Sequence, residues 1–172
     1  MASSGAKKRE DFSKEEERIL SIAQKSYNRA MAYFYYPSLP EPQFEFDYTK
    51  QKGFSIDTYS WRVTMNLANT PNISLKRELS DYFFSLSLHE LSHYVYCPYD
   101  NNTNFRLLAQ AIKGGVNKFH APMVVNIFTD LVIDIKNHKE YPDIMDWELK
   151  KNAENVLNNQ EIERTSSLWQ VL

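Results

Sequence analysis

Residues 89–93 read His89-Glu90-Leu91-Ser92-His93. Two histidines four residues apart share one face of a helix, so their imidazoles can converge on a single ion, and Glu90 then stands beside the ion's open coordination position. Zinc suits such donors: bound Zn²⁺ lowers the pKa of its water to about 7, and a neighbouring carboxylate can take the proton as the water attacks a carbonyl. The chemistry to expect is hydrolytic attack on a carbonyl, with Glu90 as the general base that activates the zinc-bound water. In a chain with only 4 His, chance produces this pattern with a probability on the order of 0.01.

The residues around the motif predict the elements that must hold it. Phe84, Leu88, Leu91 and Val95 form one apolar stripe on a helix running from about Ser74 to Tyr96, which Pro98 ends. Burying that stripe leaves His89 and His93 beside it. Upstream, Ser13 and Glu16 have the spacing of a capping box, and Ile19, Ala23, Tyr27, Ala30 and Phe34 continue an amphipathic helix of about 20 residues until Pro37 and Pro40. From Gln43 the period changes to two, with Phe44, Phe46 and Tyr48 alternating with Glu45 and Asp47. After Gly53 the alternation returns through Trp61, Val63, Met65 and Leu67. This predicts an antiparallel meander of two or three strands. Downstream, Asn101 to Asn104 reads as loop, Phe105 to Ile112 as a short helix stopped by Gly114-Gly115, and Pro122 to about Lys136 as an apolar helix. A last helix is expected from about Pro142 to Leu157. The order is that of an α+β domain: a backing helix, a small antiparallel or mixed sheet, the motif helix, and a helical C-terminal part.

The motif and this order resemble the zincin metallopeptidases, whose active-site helix carries His-Glu-x-x-His below a small twisted sheet. The resemblance implies an extended peptide adding along the sheet's edge strand, for which Trp61 to Leu67 is the nominee. It also implies a third metal ligand. Tyr96 and Tyr99 stand where metzincins need Gly and His, so that branch is excluded. Thermolysin-like zincins place a carboxylate ligand on a later helix. Here Asn126, Asp130 and Asp134 lie at i, i+4 and i+8 of one such helix, and polar residues in line on an apolar helix need partners. The stretch Asn126-Ile127-Phe128-Thr129-Asp130 with Asp134 also looks like the Asn-Ile-Ala-x-Asp-x-x-x-Asn signature of the metallopeptidase domain that precedes von Willebrand A-like domains. Phe128 and Asp134 depart from that signature. The resemblance implies Asp130 as third ligand, with Asp134 and Asn126 supporting the ligands. Asp134, His120, His138, Glu140 and Asp100 remain alternative ligands, and His120 is a candidate for stabilising the transition state. Tyr94, Tyr96 and Tyr99 offer phenol donors near the motif, and Cys97 reads as a small core residue.

Composition bounds the rest. The 172 residues carry 20 Lys+Arg against 22 Asp+Glu, a net charge of −2, which provides no field for a nucleic-acid partner. No stretch reaches the roughly 18–20 apolar residues of a membrane span, and a single cysteine excludes an internal disulfide. The expectation is a cytoplasmic protein with a flexible tail over 1–12 and one zincin-like domain over 13–172, acting on a peptide or protein substrate. The alternative is a non-catalytic module in which zinc stabilises a surface for protein interaction.

Overall fold

The computed structural model describes residues 7–50, 53–57, 59–71, 73, 75–147, 149 and 150. It is an α+β fold in two compact units, Met1–Val95 and Tyr96–Leu172.

The N-terminal unit is built on two long helices and a small sheet. Helix α1 spans Lys14–Tyr33, and its capping box is complete: the Ser13 hydroxyl accepts from the Glu16 N–H at 3.2 Å while the Glu16 carboxylate accepts from the Ser13 N–H at 2.7 Å. Helix α2 spans Lys76–Val95 and carries the motif. The two pack closely because α1 presents Ala23, Ser26 and Ala30, all at most 1% exposed, and small side chains let helix backbones approach. Ser26 closes the contact by donating to the Ser80 carbonyl at 3.0 Å. The Arg29 guanidinium lies 3.9 Å from the centre of the Phe84 ring and 3.3 Å from the Asp81 carboxylate.

The sheet corrects the expected antiparallel meander. Strand β1 (Gln43–Glu45) pairs in parallel with β3 (Val63–Asn66), and β2 (Phe54–Ile56) pairs antiparallel with β3 on its other side, giving the mixed order β1-β3-β2. Local alternation in sequence records which residues are half-buried, not which strand lies beside which. The consequence matters for the site. β3 is the central strand, so the nominated segment has both ladder edges occupied and cannot serve as the edge for an added peptide.

The strands are also shorter than the alternation predicts. Phe46 and Asp47 are both buried in succession, because the Asn66 side chain takes the backbone of Asp47 out of the ladder: Asn66 Oδ1 accepts from the Asp47 N–H at 3.0 Å and its Nδ2 donates to the Asp47 carbonyl at 2.8 Å. Asn66 then caps a 3₁₀ turn over Leu67–Asn69, which places Leu67 outside the strand. Residues 7–12 lie against this end of β1, with the Lys7 N–H donating to the Phe46 carbonyl at 3.0 Å and the Phe12 ring edge-on to Phe46. A 3₁₀ turn occupies Arg9–Asp11.

The described part of the C-terminal unit is helical. Helix α3 spans Asn101–Lys113, one turn longer at its start than the sequence predicts, because the Asp100 carboxylate accepts from the Thr103 N–H at 2.8 Å and so begins the helix at the stretch read as loop. Helix α4 spans Ala121–Glu140, with Pro122 in its first turn, and runs a turn beyond the predicted end. Residues 142–147 and 149–150 are helical, and the rest of the helix expected to reach Leu157 lies outside the described residues. Among the described residues no helix is long and apolar enough to cross a membrane.

Candidate metal centre

Helix α2 positions the motif through its buried face. Phe83, Phe84, Leu88 and Leu91 are at most 1% exposed, and the hydroxyls of Ser87 and Ser92 donate back to the helix carbonyls of Phe83 and Leu88 at 2.6 and 2.7 Å, so no buried hydroxyl competes with the packing. Val95, the last residue of the expected stripe, is 37% exposed, since it is where the helix ends. His89 and His93 follow one another on the adjacent face, their ring centres 5.2 Å apart and their planes 86° apart. His89 is half-buried, while Glu90 and His93 are each 8% exposed. Such shielding lowers the local dielectric and strengthens whatever electrostatic interaction the site makes.

Helix α4 carries the residues expected to complete the site. Asn126 Nδ2 donates to Asp130 Oδ2 at 2.7 Å, an i,i+4 bond that fixes the rotation of the carboxylate. Asp130 and Asp134 are half-buried and Asn126 is exposed. The buried line of α4 is Ala121, Val125, Thr129, Ile133 and Asn137, and the polar line runs beside it, one residue further round. The helix is less apolar in its surroundings than its sequence predicts: Val124, Phe128, Leu131 and Ile135, on a second face, are each at least 36% exposed.

His89, His93 and Asp130 make a group that could hold a metal ion, each offering one ligand atom, with the three atoms within 4.8 Å of one another. Two imidazole nitrogens and one carboxylate oxygen fit the donor preferences of a zinc site that keeps an open position. The remaining candidates lie in other roles. Asp100 spends both carboxylate oxygens on Thr103, one on its N–H and one on its hydroxyl, and these bonds hold it below the usual carboxylate range. His138 Nδ1 stands 3.5 Å from the Asp146 carboxylate, and Glu140 is exposed. His120 is the exposed N-cap residue of α4 and makes no side-chain capping bond. Cys97 is buried, and burial pushes its thiol up.

Two arrangements escaped the sequence reading. Trp61 packs edge-on against Tyr94, with ring centres 5.2 Å apart. The signal for one half of it was present, since Tyr94 stands four residues after Glu90 on the same helical face. The other is the setting of Glu16, whose Oε1 accepts from Lys7 Nζ and from the Tyr48 hydroxyl, both at 2.8 Å. The Lys7 ammonium and the Ser13 N–H, aided by Tyr48, hold this carboxyl down to about 2. An open cavity of about 270 Å³ lies here, walled by Lys7, Glu16, Phe46, Tyr48 and Leu67. Its one buried charge is already satisfied by these donors, and it contains none of the motif residues.

Comparison of the chain with protein-family models, with curated proteins and with solved structures finds no match.

Proposed function

We propose that the chain is a zinc-dependent metallopeptidase of zincin type. The observation that carries this reading is the convergence of His89, His93 and Asp130 within 4.8 Å, two of them flanking Glu90 in the His-Glu-x-x-His pattern. Zinc, when bound by these three residues, supplies a Lewis acid that polarises a carbonyl and lowers the pKa of water.

Everything else is done by the chain. His89 and His93 bind as neutral imidazoles, each through one ring nitrogen. Asp130 adds a negative charge, and Asn126 orients it from one turn earlier on α4. Glu90, almost wholly shielded from solvent, takes the proton of the attacking water and returns it to the amine that departs. His120 is exposed at the start of α4 and would act on the substrate oxyanion only in a bound complex. The substrate is a peptide or an accessible segment of a protein. β1 and β2 are the edges of the sheet. With β3 paired on both sides, an added strand would have to use one of these two.

The test is hydrolysis of casein or a fluorogenic peptide library by the zinc-loaded chain and by Glu90→Gln. Loss of at least about 100-fold in rate, with zinc content unchanged, is expected for a general base. Equal rates would remove Glu90 from the mechanism. Bound zinc without any turnover in the parent would instead favour the module in which the metal stabilises an interaction surface.

A further inference from the structure

Trp61 combines three features that packing alone does not require. It is a bulky residue in the left-handed region, with φ of 57°, where large side chains are rare. The turn that holds it there is built around Asp57, whose carboxylate accepts from the N–H groups of Tyr59 and Ser60 and from the Ser60 hydroxyl, while the Trp61 N–H donates to the Asp57 carbonyl. The turn sets the indole edge-on to Tyr94, and both residues are half-buried.

The position of Tyr94 gives this pair its meaning. Residues i and i+4 of a helix lie one above the other, about 5–6 Å apart at Cβ. Tyr94 therefore stands one turn along α2 from Glu90 on the same face, and is the neighbour of His93 in the chain. Trp61 and Tyr94 thus form an aromatic pair one helical turn along α2 from Glu90. Trp61 lies two residues before β3, outside the paired ladder.

We propose that Trp61 and Tyr94 form a specificity subsite that takes a large apolar side chain, aromatic or branched aliphatic, from a residue next to the scissile bond. This rests on the peptidase reading for the meaning of "scissile", but the binding preference itself does not depend on turnover. Two half-buried aromatic rings reward an apolar side chain by burial and by edge-to-face contact, and give a small or charged side chain nothing comparable.

The experiment uses the full zinc-loaded chain in the Glu90→Gln background, so that binding is read without cleavage. The probes are fluorescein-labelled Ala-Ala-Phe-Ala-Ala amide and the all-alanine peptide, followed by anisotropy. The Phe peptide is expected to bind about tenfold more tightly than the alanine peptide. Trp61→Ala should bring the two within about twofold, and Trp61→Phe should retain most of the preference. Circular dichroism and zinc content establish that each variant is folded and loaded. If Trp61→Ala fails to fold, Tyr94→Ala removes the other ring and decides the matter in the same way. Equal binding of the two peptides by the parent, no saturable binding of the Phe peptide, or a preference that survives loss of either ring overturns the subsite. A chain with native Glu90 that shows the preference yet cleaves neither peptide nor casein would keep the subsite and remove the peptidase reading.

Discussion

The two helices that carry the proposed ligands differ in how they are held. α2 presents Phe83, Phe84, Leu88 and Leu91 to a core in which each is at most 1% exposed, whereas α3 buries no residue and α4 leaves Val124, Phe128, Leu131 and Ile135 at least 36% exposed. His89, Glu90 and His93 are therefore mounted on a densely packed element, and Asp130 on a sparsely packed one. If zinc binds as proposed, two of its proposed ligands and the proposed general base sit on the packed helix, and metal binding is expected to order α4 more than α2. This difference sets the expected response of the molecule to mutation, metal and pH.

The largest effect should separate the two helices directly. Leu88→Ala removes a fully buried side chain and is expected to cost about 2–5 kcal/mol, while Leu131→Ala, on the open face of α4, should cost less than about 1 kcal/mol. Urea melts of the two variants check this, and similar losses would mean that α4 is as firmly packed as α2. Next in size is the contribution of Asn126. Its removal as Asn126→Ala should weaken zinc binding about 10–100-fold through the freed rotation of Asp130, without changing stability of the metal-free protein by more than about 0.5 kcal/mol. Competition with a chelator measures it. Hydrogen exchange sharpens the contrast further: zinc should slow exchange of the α4 amides more than those of α2, which are already protected by the core.

The smallest effect belongs to the packed unit alone. Glu16 has its folded pKa depressed from 4.5 to about 2, so its contribution is fully present above pH 4.5 and is lost as pH falls through that value towards 2. With the Lys7 side chain 41% exposed, solvent screening reduces the contribution to on the order of 1 kcal/mol. Glu16→Gln should flatten the acid limb of the stability profile by that amount, and an unchanged limb would place the acid sensitivity elsewhere.

How much of this was legible in the sequence depends on whether the determining contact is local. The capping box of Ser13 and Glu16, the helical setting of His89 to His93, and the i,i+4 relation of Asn126 to Asp130 all lie within a few residues, and each is present in the structure. The α+β class followed from the change of period at Gln43. What local pattern could not carry was pairing at a distance. Alternation through Val63 and Met65 identified a strand but not its place in the centre of the sheet, because strand order is set by which neighbours close the ladder. Nor could the apolar residues of α4 reveal which of two faces would be covered, since Val125 and Ile133 are buried while Val124 and Ile135 are exposed. The start of α3 carries no apolar pattern, since Asn101 to Asn104 read as polar loop, and it is the Asp100 carboxylate that caps the helix there.

The most direct test of the account is metal content by mass spectrometry on protein purified without added metal, comparing the parent with His93→Ala. About one zinc per chain is expected in the parent and little in the variant. Absence of any transition metal in both, even after zinc is offered, would contradict it and leave His89, Glu90 and His93 as ordinary residues of a well-packed helix.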